Sequence, residues 1–175
     1  CGGCALSSLT TVGAELAFWG NEELDSLSGL SALEEVGGML YFAANNALVD
    51  FSGLSSLKNV GGELLVFDND SLTSFSGLTA LESISLYASI EDNDQLLDLN
   101  GLSSLKFIGQ ELSILQNTNL LSLQGLEGLT NVHSHLIIAL NESLTDISSL
   151  ASLVQVNGTI DIDSNRSLSN VDGLT

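Results

Sequence analysis

Gly29-Leu30, Gly53-Leu54, Gly77-Leu78, Gly101-Leu102, Gly125-Leu126 and Gly173-Leu174 stand 24 residues apart or at a multiple of 24, and Ser149-Leu150 fills the remaining slot. Self-similarity at a fixed period constrains a fold more than any single motif. Each repeat must take the same conformation and bury its apolar face on its neighbours. Counted from Ala5, seven units run through residues 5–172 without an insertion or deletion. Residues 1–4 precede them as an N-terminal flank or cap, and 173–175 read as the start of a further repeat, so the chain is expected to be a segment of something longer.

Written from its first column, the unit is G-L-x-x-L-x-x-V-G-x-x-L-x-I-x-x-N-x-x-L-x-S-L-x. Column 5 is Leu in all seven units (Leu9, Leu33, Leu57, Leu81, Leu105, Leu129, Leu153), and so is column 20, from Leu24 to Leu168. Columns 8, 14 and 23 hold only Val, Ile, Leu or Phe, and column 12 is Leu or Ile except at Ala88. Apolar positions spaced unlike a helix predict a β-rich solenoid whose turns stack into one continuous core.

Column 17 is Asn in every unit: Asn21, Asn45, Asn69, Asn93, Asn117, Asn141 and Asn165. A polar side chain held so strictly in an apolar frame predicts a structural ladder of buried amides bonded to backbone. Column 9 (Gly13, Gly37, Gly61, Ser85, Gly109, His133, Asn157) favours residues that tolerate positive φ, which predicts a tight turn before the strand. Column 24 (Ser28, Ser52, Ser76, Asn100, Gln124, Ser148, Asp172) is rich in helix N-cap types ahead of G-L-x-x-L. Each unit is thus expected to run strand, Asn turn, second short strand, cap and short helical turn.

The string Val60-Gly61-Gly62-Glu63-Leu64-Leu65-Val66, followed by Asn69, Leu72, Phe75, Gly77-Leu78 and Leu81, resembles the leucine-rich repeat of receptor L domains. These are the ligand-binding lobes of insulin-receptor and EGF-receptor type ectodomains. The resemblance covers nearly the whole chain. It implies a right-handed leucine-rich-repeat coil of seven 24-residue turns, an extracellular or cell-surface location, and binding through the strand face. Receptor L domains have irregular repeat lengths and disulfide-rich neighbours, whereas these units are equal in length and the only cysteines are Cys1 and Cys4.

With 3 basic against 22 acidic side chains the formal net charge is −19, which excludes nucleic acid and anionic lipid as partners because both need a Lys/Arg footprint. No apolar run is long enough to insert in a membrane. Cys1-Gly-Gly-Cys4 is a single C-x-x-C pair, too few ligands for a structural zinc site, and reads as a cap or as part of flanking disulfides. His133 and His135 alternate, so on a strand they would share a face and could hold a metal, although the turn column accounts for His133. No nucleophile motif or phosphate loop is present, and the chain is expected not to be an enzyme.

Two surfaces carry the functional expectation. On the outward columns 11, 13 and 15, Trp19, Met39, Tyr41, Leu65, Phe67 and Tyr87 form an apolar patch suited to ligand binding. Beside it, stacking brings Asp68, Asp70, Glu91, Asp92 and Asp94 together, carboxylates that must raise their pKa values or recruit Ca2+; Asp161 and Asp163 form a smaller pair. No other cofactor is implied. Of four Asn-x-Ser/Thr sequons, at Asn69, Asn141, Asn157 and Asn165, only Asn157 lies outside the ladder, where glycosylation could reach it. The expected function is a non-catalytic extracellular recognition, adhesion or scaffold module that binds protein or glycan through its strand face. Two alternatives stand beside it. One is an ice-binding solenoid using the Ser/Thr/Ala rows of columns 3 and 4. The other is a filament or surface-layer subunit that self-associates end to end.

Overall fold

Columns 12–15 of each unit form a four-residue strand: Leu16–Trp19, Leu40–Ala43, Leu64–Phe67, Ala88–Glu91, Leu112–Leu115, Leu136–Ala139 and Ile160–Asp163. In the computed structural model, which describes residues 6–174, these pair in chain order into one seven-stranded parallel sheet. Two-residue strands at columns 7–8, from Thr11–Val12 to Gln155–Val156, make a second seven-stranded sheet, and the chain is a parallel β-solenoid of about six turns. The expected second strand after the Asn turn is replaced by these short strands before the main one; among the described residues the only β-bridge after the Asn is an isolated one, Ser122 to Asp146. The Cys1–Cys4 flank, Ala5 and Thr175 lie outside the described residues.

Register follows the period. Leu40 pairs with Leu64 and Phe42 with Val66, so each column stacks on itself at about 4.8 Å per strand. Alternation along a strand turns columns 12 and 14 inward, where Leu40, Phe42, Leu64 and Val66 are fully buried. Leu33, Leu57 and Leu81 of column 5 and Leu48, Leu72 and Leu96 of column 20 close the core from the other sides. Each such side chain contributes about 1.5–3 kcal/mol by leaving water. In the first half an aromatic spine joins columns 14 and 23: Phe18 stacks on Phe42 at 5.1 Å, Phe42 meets Phe51 at 4.9 Å, and Phe51 meets Phe75 at 5.1 Å.

The Asn column ties turn to turn. Asn93 donates from Nδ2 to the Val66 carbonyl one turn back (3.1 Å) and to Glu91 of its own turn (2.8 Å). Its Oδ1 accepts the backbone N–H of Asn69 (3.2 Å) and the Asn69 Nδ2 (3.1 Å). Asn45, Asn69, Asn93, Asn117 and Asn141 are fully buried, whereas Asn21 is exposed and Asn165 half-buried in the outermost described turns. Among the described residues no buried side-chain nitrogen or oxygen lacks a partner.

The turns depart from expectation in three ways. The left-handed column is 16, not 9: Gly20, Ala44, Asp68, Asp92, Gln116, Leu140 and Ser164 all have φ between 52° and 68°. At column 9 the constraint on glycine is space, since a Cβ on Gly37 would lie 2.6 Å from the Gly13 carbonyl oxygen. Second, no helical turn recurs in each repeat. Three-residue 3-10 segments occur at Ser28–Leu30, Ser148–Leu150 and Asp172–Leu174. Where column 1 is Gly53, Gly77, Gly101 or Gly125, φ lies between 107° and 117°, which breaks a right-handed spiral at that residue. What remains is a pair of tight turns, as in Leu54 N–H to Phe51 O and Leu57 N–H to Leu54 O, each 3.0 Å.

Third, capping comes from column 22 rather than 24. Asp50, Asp98 and Asp146 accept the N–H two residues on at 2.7, 3.0 and 2.8 Å, and Ser26, Ser74, Ser122 and Asn170 do the same at longer range. These are Asx and ST turns, in which a short polar side chain mimics a backbone turn.

Candidate functional site

The outward columns of the long sheet make an open face. Column 15 presents Trp19 at its edge, 74% exposed, followed by Ala43, Phe67, Glu91 and Leu115 on successive strands. Column 13 stacks Ala17 on Tyr41 and Tyr41 on Leu65. The Tyr41 and Phe67 rings meet edge-to-face at 6.2 Å, which is the preferred geometry for aromatic quadrupoles. Column 11 stands one residue before each strand and reads Glu15, Met39, Glu63, Tyr87, Glu111 over five successive turns. Tyr87 is exposed, and Met39, Tyr41, Leu65 and Phe67 are half-buried. Toward the middle of the face Ser89 and Ser113 are buried despite pointing outward, shaded by larger neighbours.

The acidic group has a different organisation from the one expected. Asp68 and Asp92 occupy the left-handed column at φ 53° and 52°, a conformation Asp tolerates well, so backbone geometry accounts for them. Asp70 accepts from Asn46 Nδ2 (3.1 Å), Asp94 from Thr118 Oγ1 (2.7 Å) and Glu91 from Ser89 Oγ, bonds that link a turn to the next or a strand residue to its neighbour. No three His, Cys, Asp or Glu side chains among the described residues converge closely enough to hold a metal ion. Asp68, Asp70, Glu91, Asp92 and Asp94, the carboxylates expected to recruit Ca2+, are among those side chains. Crowding still acts on one of them: partial burial, then the charges of Glu91, Asp94 and Asp68, push the Asp92 pKa up.

The histidines do not share a strand. Leu136 begins the strand; His133 lies in the bend before it, and His135 is the residue just ahead of the strand. His133 packs edge-on against Phe107 at 4.8 Å, while His135 Nδ1 accepts the Thr159 N–H at 3.0 Å. In the small-residue rows, Ser56 and Ser104 donate their hydroxyls to the carbonyls of Ser31 (2.8 Å) and Thr79 (2.7 Å) on the turn before. The sequon asparagines Asn69 and Asn141 are buried, whereas Asn157 is exposed. Asp161 is exposed on the face beside Asp163.

Sequence reasoning passed over one ordered feature. Column 6 alternates Glu34, Lys58, Glu82, Lys106 on consecutive turns, with Lys58 to Glu34 at 2.8 Å and Lys106 to Glu82 at 3.7 Å. Opposite charges 24 residues apart were its visible signal. Arg166 reaches Glu142, again one turn back, at 3.5 Å. All three cations of the chain are therefore engaged away from the strand face. No helix among the described residues is long and apolar enough to cross a membrane. Compared with known protein families, characterised proteins and solved structures, the chain matches none.

Proposed function

We propose that this chain is a leucine-rich-repeat coil of the receptor L-domain type, right-handed and with seven 24-residue turns, serving as a non-catalytic recognition, adhesion or scaffold module at a cell surface or outside the cell. It binds protein or glycan through the long-sheet face. The observation that carries this reading is Trp19, 74% exposed beside the Tyr41–Phe67 pair and Tyr87 on one open sheet face. Exposed aromatic rings are the side chains that dominate binding hot spots, and a large rigid ring loses little conformational freedom when it binds. The L-domain resemblance supports the same face and the same location.

A non-catalytic role agrees with how the chain's titratable groups are engaged. His135 accepts a backbone N–H through Nδ1, and His133 packs on Phe107, contacts that a structural role accounts for. The test is an array of oligosaccharides and purified ectodomains probed with the wild type and with Trp19→Ala/Tyr87→Ala. The wild type should give discrete signals that the variant loses while its thermal melt is unchanged. Signals that survive in the variant would place recognition elsewhere.

A further inference from the structure

We propose that the strand face takes a cationic stretch of polypeptide, with Arg or Lys at every third residue lying along the solenoid axis. The proposal rests on the reading of this face as the recognition surface and names its partner's chemistry.

Charge complementarity is the first support. Lys58, Lys106 and Arg166, all the basic side chains of the chain, each pair with a glutamate one turn back and none projects from the face. Glu15, Glu63 and Glu111 do project from it, the first exposed and the others half-buried. His135 belongs to the same column further along, and its Nδ1 is already an acceptor for Thr159. The net charge of −19 adds a long-range field that draws in cations and repels anionic partners.

The second support is the aromatic interleaving. Tyr87 stands between Glu63 and Glu111 in column 11, with Trp19 exposed at the edge. Carboxylates and ring faces are chemically unlike, yet both attract cations. A guanidinium can chelate a carboxylate and stack on a ring at once. A neutral sugar would use the rings and gain nothing from the carboxylates' charge.

Spacing selects a polypeptide. Glu15, Glu63 and Glu111 lie on every second turn, hence about 9.6 Å apart at the strand spacing. A polyproline-II segment rises about 3.1 Å per residue and has three residues per turn, so every third side chain points the same way about 9.3 Å further on. An Arg-x-x-Arg-x-x-Arg segment therefore meets the three carboxylates in step.

The experiment is calorimetric titration of the full chain with Arg-Ser-Ser-Arg-Ser-Ser-Arg, with the equally charged Arg-Arg-Arg-Ser-Ser-Ser-Ser, and with maltohexaose. The spaced peptide should bind about tenfold more tightly than the clustered one, a difference of about 1.4 kcal/mol. Glu63→Gln/Glu111→Gln should weaken the spaced peptide about tenfold, while the off-face pair Asp25→Asn/Glu35→Gln, which removes the same charge from exposed positions outside columns 11–15, should change it less than about twofold. Equal affinity for both peptides, or equal effects of the on-face and off-face pairs, would leave only the bulk field at work and overturn the proposal. Binding of maltohexaose but of neither peptide, abolished by Trp19→Ala, would overturn it while keeping the recognition reading. Tight peptide binding indifferent both to Glu63→Gln/Glu111→Gln and to Trp19→Ala/Tyr87→Ala would take down both.

Discussion

Ala44 holds φ at 52° in a column where the other units carry Gly, Asp, Gln, Leu or Ser at nearly the same angle. The stack imposes this conformation on whichever residue arrives, at about 1–2 kcal/mol for a non-glycine L-residue. Ala44→Gly removes that strain and adds about 0.5–1 kcal/mol of chain entropy to the unfolded state. It should stabilise by about 0.5–1 kcal/mol, read from the urea midpoint, and a destabilised variant would show that the angle carries no strain. Asn93→Ala acts in the opposite direction. It orphans the Asn69 N–H in a dry interior and takes a second donor from the Val66 carbonyl, about 1–3 kcal/mol in all, so a midpoint within error of wild type would contradict the ladder. These two columns also show what a sequence discloses at this scale. The ladder was legible because only an amide both donates and accepts there, so one residue type recurs. Column 16 was not, because a backbone angle enforced from outside leaves no single residue type behind it. Glycine misled in the reverse sense at column 9, where Gly37 answers a close approach to Gly13 rather than a positive φ.

At the scale of one element, the G-L-x-x-L stretch shows how similar strings take different forms. Gly77 sits at φ 107°, and a Cβ there would meet the Phe51 carbonyl and lie 2.6 Å from the Ser52 nitrogen, so the arc turns too sharply for a helix. Gly29, Ser149 and Gly173, at the same column without that left-handed angle, lie instead within 3-10 segments. The helical expectation came from cap-type residues in column 24, but the side chains that accept the free N–H groups stand two positions earlier. Asp146 makes this testable. Its carboxylate accepts the Ser148 N–H, and that bond, with a further one to the Ser148 side chain, holds its pKa below the ordinary value. A depressed folded-state pKa contributes stability above the unfolded-state pKa, and this is lost as pH falls through the folded value. Asp146→Ala should therefore destabilise by about 1 kcal/mol at neutral pH, with the difference from wild type closing as both are titrated below the carboxylate range. Asp146→Ser should be nearly neutral, because Ser26, Ser74 and Ser122 do the same task in their own turns. A loss in Asp146→Ala that persists unchanged in acid would assign the effect to something other than the charged acceptor.

Across the whole molecule every strand pairing joins residues 24 apart, so stability is assembled turn by turn rather than by long-range closure. A middle turn is covered on both sides and an outermost described turn on one. Leu81 is fully buried, whereas its ladder-end counterparts Leu9 and Leu153 are only partly so, and Leu168 likewise. Ile160 is 44% exposed in a column position where Leu64 and Leu136 are fully buried. Because neighbouring turns supply most of the burial of any one turn, opening should begin at the ends and move inward. Amide exchange in native buffer should rank the strands accordingly, with Ala88–Glu91 and Leu112–Leu115 slowest and Leu16–Trp19 and Ile160–Asp163 fastest. The same gradient sets the cost of deleting a leucine. Leu81→Ala should cost about 3 kcal/mol and speed exchange in the turns on both sides of it, while Leu168→Ala should cost about 1 kcal/mol and leave Ala88–Glu91 untouched. Uniform protection from the first strand to the last, with Leu168→Ala accelerating all of them equally, would mean that the coil opens only as a single unit and that its turns do not act as separable nearest-neighbour layers.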